Sequence, residues 1–333
     1  MKRLTSFALA ACVLLSACVS SNSAPPGNLD AGNGTSDGAP PSGDAAGAND
    51  SGGGTAAEAG APTAFGTGNI TAPQGIAVDP GTGAIWVASF AGGVVKFDAN
   101  GTYVATFGTS GAAQIVEGAG VDLDSQGNVY VGDYGAHTIV ELDGSGNHVA
   151  TFPGADAGVT LGRVTGVALD SSDHLFAIDD DNSLVLEFDA AGGVTSQFST
   201  TQTGQASLAG SVGMHFDAAG DLWIADYYYH SFAHYSVAGQ LLGSYGTSSM
   251  TATPGGFAEP YGLTVDASGN VWVTDSANND VQEFDGQGTF KALFGSSGAG
   301  PGQLSGPSGV AVDAQGRVLV ADGANNRIVV FAP

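Results

Sequence analysis

The side chains that could do chemistry in this sequence are few, and most are set by a recurring motif. The motif is Gly-x-x-x-Asp, and in one copy, Gly213-Met214-His215-Phe216-Asp217, an imidazole stands at its centre. Other copies carry Ala77, Ala168 and Ala311 there, while one carries Asp122 and another Thr264. An ionisable group inside a buried strand must be hydrogen-bonded, paired or set against a water-filled channel. His215 and Asp122 are therefore the candidate catalytic pair, suited to metal-assisted chemistry, although such chemistry ordinarily needs more ligands than two. No cofactor is expected from these residues; the run Asp179-Asp180-Asp181-Asn182 is the candidate calcium site, because hard cations favour clustered carboxylates, and zinc is the other metal to consider. No Gly-x-Ser-x-Gly elbow occurs in the repeats of residues 63–333, and no His-Glu-x-x-His pair occurs in the chain.

The remaining histidines read as structural. His137 and His230 stand just before a strand, where Asn279 and Asn326 stand in other copies; His148 and His174 lie beside tight turns; and His234 aligns with Lys96, Glu141, Glu187 and Glu283 on a face expected to be solvated. Aromatic residues that escape the motif offer a binding surface instead: Phe90, Tyr134, the run Tyr227-Tyr228-Tyr229-His230, Phe257 and Tyr261, flanked by Asp179, Asp180, Asp181 and Glu259. Such a surface suits a protein, peptide or glycan partner.

The elements that must position these residues come from the repeat. Its leading acids are Asp79, Asp124, Asp170, Asp217, Asp266 and Asp313, spaced 45 to 49 residues apart. Each unit continues with a Gly- or Ser-rich turn and an apolar strand with a bulky middle residue, such as Trp86, Tyr130, Trp223 or Trp272. A second acid follows (Asp133, Asp179, Asp226, Asp275 and Asp322, with Ser89 in the first unit), then a third strand and a fourth ending in an aromatic. Four short strands per unit are one propeller blade. The sixth unit stops at Pro333 before its fourth strand, and Thr63-Ala64-Phe65-Gly66 matches Ala292-Leu293-Phe294-Gly295, so that segment is expected to close the ring beside residues 327–331. The leading acids are expected to accept backbone N–H bonds in turns, and the three tryptophans to pack between blades.

The stretch from Gly309 to Asp322, continuing through Asn325-Asn326-Arg327-Ile328-Val329-Val330-Phe331, resembles an NHL repeat, and the other units match it more loosely. The resemblance implies an all-β, six-bladed β-propeller of NHL-like repeats over residues 63–333. It implies little about function, because propellers of this type serve as protein- and RNA-binding platforms and, more distantly, as peptide-amidating lyases, streptogramin lyases and lactonases.

Composition narrows the choice. Of 333 residues 54 are Gly, and 32 Asp+Glu face 7 Lys+Arg for a net charge of −25, which repels nucleic acid and anionic lipid. Both cysteines, Cys12 and Cys18, lie in the first twenty residues. Met1-Lys2-Arg3, an apolar run from Phe7 to Leu15 and Leu15-Ser16-Ala17-Cys18 read as a signal peptide over 1–17. The last four residues resemble the bacterial lipobox, which implies lipidation at Cys18. Residues 18–62 then form a Gly/Ala/Ser/Pro tether reaching roughly 35–40 Å. With Val19 after the cysteine, an outer-membrane location in the cell envelope is favoured over the inner membrane. The expected protein is thus a lipid-anchored, monomeric propeller whose loop-rich face binds a protein, peptide or glycan, with an enzyme at the channel as the alternative.

Overall fold

A computed structural model describes residues 61–153, 158–199 and 213–332. The expected signal peptide, Cys18 and nearly all of the tether lie outside the described residues. Six four-stranded antiparallel sheets succeed one another along the chain, with strand order following the sequence in all but one. The innermost strands are Pro73–Val78, Gly118–Leu123, Val164–Leu169, Met214–Phe216, Pro260–Val265 and Pro307–Val312. The exception is the sixth sheet, whose outer strand is the first of the chain: Thr63–Phe65 pairs with Arg327–Phe331, setting Thr63 opposite Val330 and Phe65 opposite Ile328. The ring is closed by the N-terminal strand, as the repeat arithmetic requires. Among the described residues no helix is long and apolar enough to cross a membrane.

The motif glycine has a steric cause. A Cβ on Gly120 would sit 2.7 Å from the Val167 nitrogen of the next blade, on Gly213 2.0 Å from the Leu263 nitrogen, on Gly262 2.2 Å from the Ser308 carbonyl oxygen, and on Gly309 2.3 Å from the Gln74 carbonyl oxygen. Each inner strand thus lies backbone to backbone against its neighbour, and the last of these contacts joins the sixth blade to the first. Outside this ring of contacts sit six apolar clusters, one at each blade interface, including the one that joins Ile85, Val87 and Phe97 to Leu319 and Ile328. Trp86, Trp223 and Trp272 are buried in three of them.

The outer rim repeats a second interlock. The aromatic ending one blade's fourth strand covers the turn glycine of the next: Phe107 over Gly146, Phe198 over Gly239, and Tyr245 over Gly288, each glycine standing where a Cβ would lie 2.0 to 2.4 Å from the ring. Phe65 lies over Gly101 in the same way, at 2.6 Å, so the borrowed strand completes the pattern.

The repeated acids hold the two ends of the blades, with Ser89 in place of the second acid in blade one. On the turn side, Oδ1 of the leading acid accepts the N–H groups two and four residues on, as Asp124 does from Gln126 and Asn128 and Asp266 does from Ser268 and Asn270. At the opposite end the second acid holds the connection arriving at its blade: Asp133 accepts from Val116 and Glu117, Asp275 from Ala258 and Glu259, and Asp322 from Ser305. Four residues after it, His137, Ser183, His230, Asn279 and Asn326 all adopt left-handed backbone, with φ between 53° and 61°. That conformation, which Asn and His tolerate better than β-branched residues, explains the polar residues before the third strand.

Blade five carries an anomaly in this scheme. Asp275 lies directly across the ladder from Asp280, where blade six pairs Asp322 with Arg327 at 2.8 Å. Burial first, and the Asp275 carboxylate next, push Asp280 up to about 7, and its Oδ2 has no hydrogen-bond partner. Between roughly pH 4 and 7 the folded chain holds a proton that the unfolded chain has released, so this group makes stability fall as pH rises through that window.

Two outcomes follow for thermal unfolding. Gly120→Ala should cost about 1–3 kcal/mol, lowering Tm by roughly 3–10 °C, because the clash is with backbone; an unchanged Tm would remove the backbone-contact account. Asp280→Asn should raise Tm relative to the parent protein at pH 8 and make little difference near pH 4; equal Tm values at both pH values would show that Asp280 is an ordinary carboxylate.

Candidate functional site

Two places on the ring depart from the repeat on the side of the expected site: the channel along the axis and the face that carries the long connections.

The channel holds a cavity of about 130 Å³ lined by the inner strands, and Asp122, His215 and Thr264 all reach it. The two candidate catalytic residues are therefore brought to one cavity. Asp122 also bridges blades, accepting Leu123 N–H at 2.9 Å and Leu169 N–H of the next inner strand at 2.8 Å. Burial outweighs these bonds and the nearby His215, and moves its carboxyl above the usual carboxylate range. His215 Nδ1 is buried without a partner. A cavity of this size accommodates a few waters, well below the roughly 300 Å³ where pockets for small organic ligands begin.

On the loop-rich face a side chain not singled out in the sequence organises the surface. Arg163, in the connection entering blade three, donates from Nη1 to the Tyr134 hydroxyl at 2.6 Å and from Nε to Asp181 at 2.7 Å, and its Nη2 pairs with Asp180 at 2.7 Å. Its guanidinium also lies over the Tyr134 ring, 5.2 Å from the centroid. Tyr134 in turn contacts Phe90, with centroids 5.6 Å apart, and Tyr228 packs edge-on to Tyr227 at 5.2 Å. Burial first, then the charges of Asp180 and Arg163 and the Tyr134 phenol, set the Tyr228 phenol, with a net shift upward that keeps it a hydrogen-bond donor. That Asp180, Arg163 and Tyr134 all act on Tyr228 brings blades one to four together in one patch. At 44% exposure Tyr228 is its most accessible ring.

The structure corrects five parts of the sequence reading. Phe257 is fully buried against Phe232 and Phe284, because Gly256–Phe257 pairs with Thr247–Ser248 and folds the connection inward. Tyr261 is also buried, its hydroxyl donating to Gln74 Oε1 at 2.7 Å across the inner strands of blades five and one. His230 occupies the left-handed turn position, with Nδ1 2.6 Å from the Ala258 carbonyl, while Tyr229 gives its N–H to Asp226. The acidic run is not an open cage. Asp179 accepts from Gly162 and Asn182, and Asp180 and Asp181 both face Arg163, which is the cation they share. His234 is likewise not on a solvated face, for its ring stacks on Trp223 with centroids 4.0 Å apart and planes 9° from parallel.

Arg163 carried one signal in the sequence, its scarcity: it is one of only seven basic residues in the chain.

Residues 257–284 and 304–331 match the NHL repeat model, which places the match on blades five and six. No curated protein matches the sequence. Among solved structures, a virginiamycin B lyase from Staphylococcus aureus is 16% identical, with 82% of this chain and 99% of that one covered and a TM-score of 0.58. A gluconolactonase from Xanthomonas campestris is 15% identical over 79% and 86%, with a TM-score of 0.60. An auxiliary nutrient binding protein from Bacteroides ovatus is 12% identical over 81% and 70%, also at 0.60. Identities this low speak for the fold alone. The chain is thus a six-bladed β-propeller built on one motif, whose fifth and sixth blades match the NHL repeat.

Proposed function

We propose that the chain is a non-catalytic binding module, lipid-anchored through Cys18 in a bacterial cell envelope, whose loop-rich face takes a protein, peptide or glycan. The observation that carries this reading is the patch around Arg163. There, the exposed ring of Tyr228 and the half-buried rings of Phe90, Tyr134 and Tyr227 gather around a guanidinium held by two carboxylates and a phenol, and rigid aromatic and Arg side chains are the residue types that dominate binding energetics. Preorganisation favours the same reading, because Arg163 is already fixed from three sides and loses little freedom when a ligand arrives. Among the solved structures of this fold, those called nutrient binding proteins are compatible with such a role, and the acidic surface disfavours nucleic acid.

A second reading, a metal-assisted lyase or lactonase at the channel, rests on His215 Nδ1, buried without a partner beside Asp122. Similar folds carry lyase and gluconolactonase names. The small channel cavity and the two backbone bonds that occupy Asp122 weigh against it.

Screening the protein on glycan and peptide arrays, then measuring affinity for the best ligand, separates the two readings. Tyr228→Ser should weaken binding by about 30-fold or more while Tm moves by less than about 3 °C. Unchanged affinity in that variant, with loss in His215→Ala instead, would move the site to the channel. For the anchor, Cys18→Ala should shift the expressed protein from the detergent phase to the aqueous phase on phase partitioning; partitioning that ignores the substitution would sink the lipid attachment.

A further inference from the structure

The turn side of blade four breaks a rule that the other five blades obey. In each of those, the second carboxylate oxygen of the leading acid accepts a hydrogen bond from a side chain three or four residues on. Asn128 donates to Asp124 and Asn270 to Asp266, each at 2.8 Å; Arg317 donates to Asp313 at 2.6 Å; His174 Nδ1 lies 2.9 Å from Asp170; and the Thr82 hydroxyl reaches Asp79. In blade four that place is taken by Asp221, which has no proton to donate and adds a second negative charge.

The other components around these two acids are also specific to the blade. Opposite them on the third strand stands His234, where blades two, three and five carry Glu141, Glu187 and Glu283. Stacking on Trp223 locks the imidazole plane and aims Nε2 at the carboxylates, and that nitrogen is buried with no hydrogen-bond partner. It lies 3.5 Å from Asp217 Oδ2 and 3.7 Å from Asp221 Oδ2, and the three atoms are all within 4.8 Å of one another. Four ligands at about 2.0–2.1 Å from a tetrahedral ion stand about 3.3–3.4 Å apart, so the two imidazole–carboxylate separations need only a few tenths of an ångström of adjustment, and the two carboxylates close the rest by rotating toward the ion. Asp217 Oδ2 meanwhile accepts Trp223 Nε1–H at 3.0 Å, the outer bond that commonly orients a ligating carboxylate.

We propose that Asp217, Asp221 and His234 form a binding site for a divalent transition ion of the zinc class. His234 Nε2 and one oxygen from each carboxylate are the ligands, and water takes the fourth position. The imidazole selects against calcium and magnesium, which prefer all-oxygen sites, and the ion supplies the positive charge that replaces the missing donor. The site is on the opposite side of the ring from the Arg163 patch and is independent of what that patch binds.

The test is titration of zinc chloride into tag-free, chelator-treated full-length protein, read by calorimetry and by Tm. The parent protein should take one equivalent and gain Tm. His234→Ala should weaken uptake by about 100-fold or more. Asp221→Asn should do the same while leaving the metal-free Tm equal or higher, because it recreates the Asp266–Asn270 clasp of blade five; this separates lost ligation from lost folding. Absence of uptake by the parent protein at about 1 mM zinc, or uptake that survives both substitutions, overturns the proposal.

Discussion

The ring depends on backbone meeting backbone at its centre. Where Gly120, Gly213, Gly262 and Gly309 stand, the neighbouring inner strand approaches so closely that a single methyl group would collide with main-chain atoms. None of these four needs a left-handed backbone, so the glycine answers to packing distance rather than to conformational freedom. From that contact the rest follows outward: apolar clusters fill the wedge between blades, and at the rim Phe65, Phe107, Phe198 and Tyr245 each cover the next blade's turn glycine. Phe65 shows that this geometry, rather than chain order, decides membership of a blade, for it reaches Gly101 from the opposite end of the fold.

Charge is distributed by the same repetition. Leading acids close the turns on one side, and second acids fasten the incoming connections on the other, so much of the net charge of −25 serves local backbone hydrogen bonding. Hydrogen bonds of this kind hold exposed Asp98, Asp143 and Asp285 below the usual carboxylate range. Against that uniform background, blade-specific departures become informative. Asp280 faces an acid where blade six has Arg327, Asp221 stands where other blades have a donor, and Arg163 gathers two acids and a phenol on the loop-rich face.

Whatever belonged to the period could be read from the sequence. The blade count, the closing strand at 63–65, the buried tryptophans and the turn acids each recur at a fixed offset, and each has a local cause. That Asp122 and His215 face one channel was also legible, since equal positions in equivalent strands must face the same axis. The connections between blades are where this failed. Phe257 reads as an exposed aromatic beyond the repeat, yet a short parallel pairing tucks it into the core; Arg163 reads as an isolated base, yet partners 18 and 29 residues away converge on it. His234 was misjudged for a different reason. Aligning it with glutamates across blades ignored its cross-strand neighbour Trp223, and an imidazole stacks on an indole where a carboxylate does not.

The proposed binding site lies on the loop-rich face, in departures from the repeat that the uniform ring holds in fixed positions. Hydrogen exchange of the backbone amides, with and without a saturating array-identified ligand, tests that placement most directly. The prediction is new protection at residues 90–93, 134–137, 163 and 180–183 and at 227–230, with the turns at 125–128, 219–221 and 267–270 unchanged. Protection centred on the inner strands around Asp122 and His215, or on the turn side, would contradict it.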